Sequence, residues 1–424
     1  MEELKRTSPV RYAIGMFGNS IPINMFNTYM AYFYVDMLGL DMRIYSVALF
    51  AYAIFDALDN PVYGYLSDRT RTRWGRRKPW LLAGCPLMLI SFVAFFSPPG
   101  FLKGGAFIAY FVVFLMLVET FNSLLLTNYG ALLPDLFRTD ALRTRANAIR
   151  QALQVAAMII AISLTPMLTD LIGYAWCAVL LGVVGMGSLA FSVLGCHESH
   201  DYELVKKPKI WESIKEILQN RSFWVVTLTN AFYSGGMSLV LAGLPFYVKY
   251  SLGLGGSATT FISGSVLLVA IFAVAAWSRI VKKFSLLRAW RATILVLCLS
   301  FIPMFFAWNM VTAIVCGAII GFGFAGVITT MDVVGAHVLT EDNIKTQNRR
   351  EGIFQSLGGF LNRLSGVFKS AMFYLVFVFF GFRSGDAPGS NPGMAAKFIM
   401  LICPFFLMAV SYILSRLLKF REEL

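Results

Sequence analysis

The chain has 424 residues, of which 58% are hydrophobic and only 14% charged, with 38 Phe among them. So few charges cannot clothe a soluble fold of this size, which excludes a water-soluble globular enzyme. The formal net charge of +13 would suit a nucleic-acid partner, yet 28 of the 36 Lys and Arg lie at the two ends and in alternate connections between apolar runs. That is the asymmetry that holds connections on the cytoplasmic face, so the basicity is read as topology and no nucleic-acid partner is expected.

Taken in chain order, twelve apolar runs recur, at about 10–38, 43–67, 79–98, 104–133, 146–170, 174–196, 222–250, 257–281, 287–307, 311–339, 351–382 and 395–418. Most reach the ~20 residues that cross a bilayer. The pattern predicts an all-α membrane protein of twelve transmembrane helices, multi-pass in the cell membrane, with both termini cytoplasmic. The first run follows MEELKRTSPVR and is too long for the apolar core of a signal peptide, so it is read as a retained span. The polar stretch at 196–221 parts the runs into six and six. Two six-helix bundles are therefore expected at 1–196 and 222–424, joined by a cytoplasmic linker at 197–221. Within that linker, Ile210–Leu218 alternates apolar and charged residues at helical spacing, as a helix on the membrane surface would.

No zinc, phosphate-loop or nucleophile-elbow pattern occurs, and His197, His200 and His337 form no ligand cluster. No catalytic residue and no cofactor is expected. The six Cys sit at or within the runs without metal-type spacing and read as packing residues.

Polar side chains inside the runs fall on stripes. In the second run Tyr52, Asp56, Asp59 and Tyr63 share one helical face, with Asn60 at its border. Carboxylates at membrane depth cost roughly 2.5–3.5 kcal/mol on insertion scales and are seldom idle. Two acids and an amide offer oxygen ligands for a monovalent cation such as Na+, or carry a proton, or pair with a buried Arg. Ser20, Asn24 and Asn27 share a face of the first run; Glu119, Ser123 and Thr127 share one of the fourth; Asn230 and Tyr233 lie in the seventh. Such neutral hydrogen-bonding groups suit a polyhydroxylated solute, and equally suit bonds between helices. Arg150, Arg363 and Lys369 stand within the runs against Asp56, Asp59, Glu119 and Asp332, either as ion-pair partners or as a pole for an anionic substrate. Asn362 adjoins Arg363 and joins the candidate substrate residues. The connection after the second run carries Asp68, Arg69, Arg76 and Arg77, and that before the eleventh carries Arg349, Arg350 and Glu351. These form a salt-bridged cytoplasmic gate or act as plain orientation anchors.

Several of these stretches, YFYVDMLGL at 32–40, FDALDNPVYGYLSDRTRTRWGRRKPW at 55–80, NYGALLPDL at 128–136, LPFYVKYSLG at 244–253 and DNIKTQNRREGIF at 342–354, resemble the glycoside–pentoside–hexuronide:cation symporters of the major facilitator superfamily. The resemblance runs end to end. It implies alternating access between two bundles, a single small-molecule solute such as a sugar, glycoside or sugar acid, and a monomer in the bilayer. It places the family's cation site on Asp56, with Asp59 and Asn60 as a swapped Asn–Asp pair and Ser123 or Thr127 as its hydroxyl. It sets Arg150 and Arg363 at the family's buried basic positions. The acids that hold galactosyl hydroxyls in the family's best-known carrier fall at about Ser20 and Leu126 here, so a galactoside is not carried over. A uronate, a sulfonated sugar or a lysolipid remains the other expectation.

Overall fold

The computed structural model describes residues 7–137, 140–197, 210–346, 351–363 and 365–420. Helices carry this chain: α1 Pro9–Ala31, α2 Met42–Arg69, α3 Lys78–Phe95, α4 Gly104–Leu136, α5 Asp140–Leu194, α6 Ile210–Gln219, α7 Arg221–Phe246, α8 Gly256–Lys283, α9 Leu286–Phe305, α10 Met310–Thr346, α11 Glu351–Arg363, α12 Gly366–Phe380, α13 Pro392–Lys397 and α14 Cys403–Ser415. Among the described residues, nine helices are long and apolar enough to cross a membrane. The chain divides into two compact units, one of Met1–Phe33 and Ile54–Glu203, the other of Tyr34–Ala53 and Leu204–Leu424.

In the first unit, α5 runs for 55 residues but turns at Gly173, where φ is 76° and ψ 166°. Only glycine adopts that conformation without strain, so two expected runs appear as two helices joined by a single residue. Beyond the turn, the second half of α5 packs on α1 at backbone distance. A Cβ on Gly18 would lie 2.4 Å from the Gly185 carbonyl oxygen, and one on Gly185 would lie 2.6 Å from that of Gly18. Arg11 closes the same contact by donating to the Phe191 carbonyl from Nε at 3.0 Å and from an Nη at 2.7 Å. Phe26, Phe92, Phe95, Phe96 and Phe111 fill the space between α1, α3 and α4.

The second unit uses the same device on α10. Added methyls at Gly317 and Gly321 would strike Ser265 and Val266 of α8, and at Gly323 and Gly326 would strike Leu297 and Thr293 of α9. One helix thereby meets two neighbours closely, which is how membrane bundles gain dispersion energy where no hydrophobic driving force exists. The linker segment α6 is helical as its spacing predicts, and its Ile217 is fully buried. Asn220 then caps α7, accepting from the Ser222 and Phe223 amides at 3.0 and 3.4 Å while donating to Asp342 at 2.8 Å.

Several runs differ from the continuous helices expected, those at 10–38 and 222–250 by ending in π-turns and two more as follows. The run at 351–382 is broken into α11 and α12, with Ser365 N–H donating to Asn362 O at 3.1 Å and Phe368 N–H to Ser365 O at 3.0 Å. These three-residue spacings make a tight turn, and Gly366 opens the next helix. The run at 395–418 passes through a π-turn at Phe398–Ile402. That turn lies just before Pro404, which has no amide hydrogen to offer the preceding turn.

The Gly18–Gly185 approach yields a stability prediction. Gly18→Val should cost roughly 1–3 kcal/mol, the usual range for overpacking, and lower the melting temperature of the purified protein. An unchanged melting temperature would show that α1 and α5 do not touch there.

Candidate cation and substrate site

The first unit gathers polar side chains at the depth where α4 faces α1 and the lower part of α2. Asp56 is half-buried, and its Oδ1 accepts a hydrogen bond from Ser123 Oγ at 3.0 Å. Ser123 is fully buried, so its hydroxyl belongs to this contact rather than to solvent. One turn earlier on α4, Glu119 is only 4% exposed. Its Oε2 accepts from Asn122 Nδ2 at 3.5 Å, and Asn122 Oδ1 in turn accepts from Asn19 Nδ2 at 3.2 Å. A carboxylate, a hydroxyl, a second carboxylate and two amides thus follow one another from α2 through α4 to α1. In an apolar medium each such group needs a partner, because an unmet polar atom costs several kcal/mol, roughly 1–3 in protein experiments.

Asp56 and Ser123 supply two hard oxygen atoms side by side, the ligand type that suits Na+ or Li+ and equally the acceptor a proton requires. Asn24 donates to the Ser20 carbonyl at 2.7 Å, so this amide serves its own helix. Asn27, Tyr52 and Thr127 are half-buried. Arg150 lies elsewhere: its Nε donates to Asn147 Oδ1 at 3.1 Å, and its charge acts on Tyr12 and Tyr129. Those two rings stack with centroids 4.6 Å apart and pin α1 to α4 through reciprocal bonds to each other's carbonyls. The bases and acids expected to meet in this unit therefore occupy different levels, with Arg150 about two turns from the Asn19–Asn122 contact.

In the second unit, Asn230 and Tyr233 are half-buried on α7, and Asp332, exposed on α10, acts electrostatically on Tyr233. Asn362 and Arg363 end α11 at the break in that run, and Asn362 Oδ1 is buried without a hydrogen-bond partner among the described residues. Lys369 on α12 is 6% exposed. Arg69 is exposed, and Arg76 and Arg77 are half-buried after α2. The side chains of Asp59, Asn60, Asp68 and Glu351, and the whole of Arg349 and Arg350, lie outside the described residues.

Asn19 is the member of the polar chain that sequence reasoning missed. It adjoins Ser20 but points about 100° away from the stripe formed with Asn24 and Asn27. A buried amide in an apolar run was the available signal.

With this geometry in view, residues 11–422 match the family described as MFS/sugar transport protein. The chain belongs to that family. Within it the chain is a member of the glycoside–pentoside–hexuronide:cation symporters of the major facilitator superfamily, and it is a membrane transporter, not an enzyme. An uncharacterized symporter from Synechocystis sp. is 28% identical over 64% of this chain and 48% of its own length. The chain therefore spans about half the length of that relative. The isoprimeverose transporter of Lactiplantibacillus pentosus is 25% identical over 82% of this chain and 75% of its own. The crystal structure of the nucleoside transporter NupG superposes with a TM-score of 0.69 at 12% identity, covering 97% of this chain and 99% of that one. That likeness is one of fold.

If Asn19 and Asn122 act as one unit, their alanine substitutions should be coupled. In a double-mutant cycle read by thermal unfolding, the two losses should fall short of additivity by about 0.6 kcal/mol, and at most ~1.7, the span measured for hydrogen bonds between membrane helices. Strict additivity would contradict the contact.

Proposed function

We propose that this protein is a cation-coupled symporter that carries a sugar or glycoside inward by alternating access, with both termini cytoplasmic and the coupling cation bound at Asp56 and Ser123. The bond from Ser123 to Asp56 is the single observation that carries the reading. It joins the first family-type acid of α2 to the hydroxyl of α4, and so supports the assignment of Ser123 over Thr127 as the nearer ligand. Asp59 and Asn60, within one turn of Asp56 on the same helix, complete the proposed oxygen set.

The chemistry follows from charge. An ionised Asp56 facing an apolar path opposes closure of the protein around an empty site, because it would be desolvated without a counter-charge. A bound cation cancels that charge, so sugar crosses only together with its cation, and the empty protein returns with the Asp56 charge met by a proton or by hydrogen-bond donors. Sugar entry then becomes tied to cation entry. The proposed hydroxyl-binding groups are Glu119, Asn24 and Asn27 in the first unit and, separately, Tyr52, Asn230 and Tyr233 in the second, since neutral amides and phenols with one carboxylate match the donors and acceptors of a polyol.

A second reading has its own observation. Lys369 is almost wholly buried, and Arg363 closes the broken helix beside Asn362, whose Oδ1 has no hydrogen-bond partner among the described residues. Buried basic side chains in this unit make a sugar acid the alternative to a neutral sugar.

Two outcomes test these readings. Asp56→Asn should abolish cation-driven accumulation while leaving folding intact, and Ser123→Ala should weaken cation affinity roughly 10- to 100-fold, the value of one bond to a charged group. Accumulation at the wild-type rate in Asp56→Asn would remove Asp56 from the site. In competition assays, neutral glycosides should displace the substrate and uronates should not; inhibition by uronates alone would transfer the assignment to sugar acids.

A further inference from the structure

The first part of α2 clusters with a different unit from the rest of that helix. Tyr34–Ala53 clusters with the second unit, whereas the chain on both sides of it, through Phe33 and from Ile54, belongs to the first. The boundary falls inside α2, three residues before Asp56.

The segment is fastened at several points within the second unit. Asp36 lies in a π-turn at Tyr32–Met37, and its side chain is 0% exposed. Its Oδ2 accepts from Lys249 Nζ at 2.5 Å and its Oδ1 accepts from the Tyr250 hydroxyl. Lys249 and Tyr250 are consecutive residues of a second π-turn, Tyr247–Ser251, so two interrupted helices present their side chains to each other. Such turns recur at functional positions because they re-aim side chains at a cost in helix stability. Around this pair the Gly385 amide donates to Val35 O at 3.0 Å, and the Met42 amide to Arg383 O at 2.8 Å. Gly385 has no room for a side chain, since a Cβ there would lie 1.8 Å from the Asp36 carbonyl oxygen. Deeper in, Ser370 Oγ donates to Ser46 O at 2.6 Å, and Tyr45 meets Phe373 edge-on at 5.3 Å.

A buried carboxylate satisfied by one ammonium and one phenol is held strongly as a pair and poorly as a single charge. The lysine is 43% exposed on its side chain, so water reaches one partner and the pair can open without dragging both into apolar surroundings. We propose that Asp36, Lys249 and Tyr250 form an outer latch that fastens Tyr34–Ala53 to the second unit and must release each time the transporter opens to the outside. The latch goes beyond the ligand assignments above, because it concerns how the protein is shut and not what it binds. Because α2 continues unbroken from the latched segment to Asp56, release of the segment bears on the helix that carries the proposed cation ligand.

The test uses cysteine labelling in intact cells with a membrane-impermeant maleimide. Ser46→Cys is the reporter: Ser46 belongs to the latched segment and is 1% exposed. Background is set by the chain carrying its native Cys alone. Phe101→Cys, at an exposed position in the connection between α3 and α4, reports sidedness. The reporter should label slowly in the otherwise native chain and roughly tenfold faster or more when combined with Asp36→Asn or with Lys249→Gln, given the penalty for breaking a buried pair. Either partner suffices, so a variant that fails to fold leaves the other. Unchanged reporter labelling in the folded variants overturns the latch, and absence of labelling at Phe101→Cys overturns its outer placement. None of these readouts depends on which sugar or cation is carried, so failure of the latch is separable from failure of the symport reading.

Discussion

An ionised carboxylate at membrane depth needs a counter-charge, a proton or hydrogen-bond donors, and the first unit is arranged around that requirement. Asp56 accepts from the Ser123 hydroxyl, and Glu119 accepts from the Asn122 amide, whose oxygen in turn accepts from Asn19. The close α1–α5 approach at Gly18 and Gly185, and the reciprocal Tyr12–Tyr129 contact, hold the helices that present these groups in register. Coupling in such a protein amounts to making the sugar-loaded, cation-free form unfavourable.

Basic residues follow the same rule in the second unit. Lys369 is buried on α12, and Arg363 ends α11 where the helix breaks. Broken helices at membrane depth are tolerated where the freed backbone groups face protein or a polar cavity. The amide oxygen of Asn362, unpartnered among the described residues, lies at this break. Here, unlike at Asp56 and Ser123, which lie within continuous helices, the polar groups stand where regular structure is interrupted.

Much of the architecture was legible in the residues. Run lengths located the helices, because a bilayer imposes a minimum apolar length. The pairing of Asp56 with a hydroxyl of the fourth run followed from helical stripes and family resemblance together. Three things were not legible. The Asn19–Asn122–Glu119 chain depends on helix rotation, which stripe counting on single helices does not determine. The break at Arg363–Gly366 lies in an apolar run whose composition supports a continuous helix. The assignment of Tyr34–Ala53 to the second unit is tertiary: Asp36 reads as one more polar residue in a family motif until Lys249, more than two hundred positions away, is seen to pair with it.

The most direct test of the account is accumulation of a radiolabelled glycoside in proteoliposomes containing the purified protein, with and without an imposed inward cation gradient. The account predicts concentration of the sugar above its outside level only while a sodium or proton gradient persists, with collapse on adding the matching ionophore. Equilibration to equal concentrations regardless of any cation gradient would contradict it, because Asp56 would then sit in the membrane without a cation to couple.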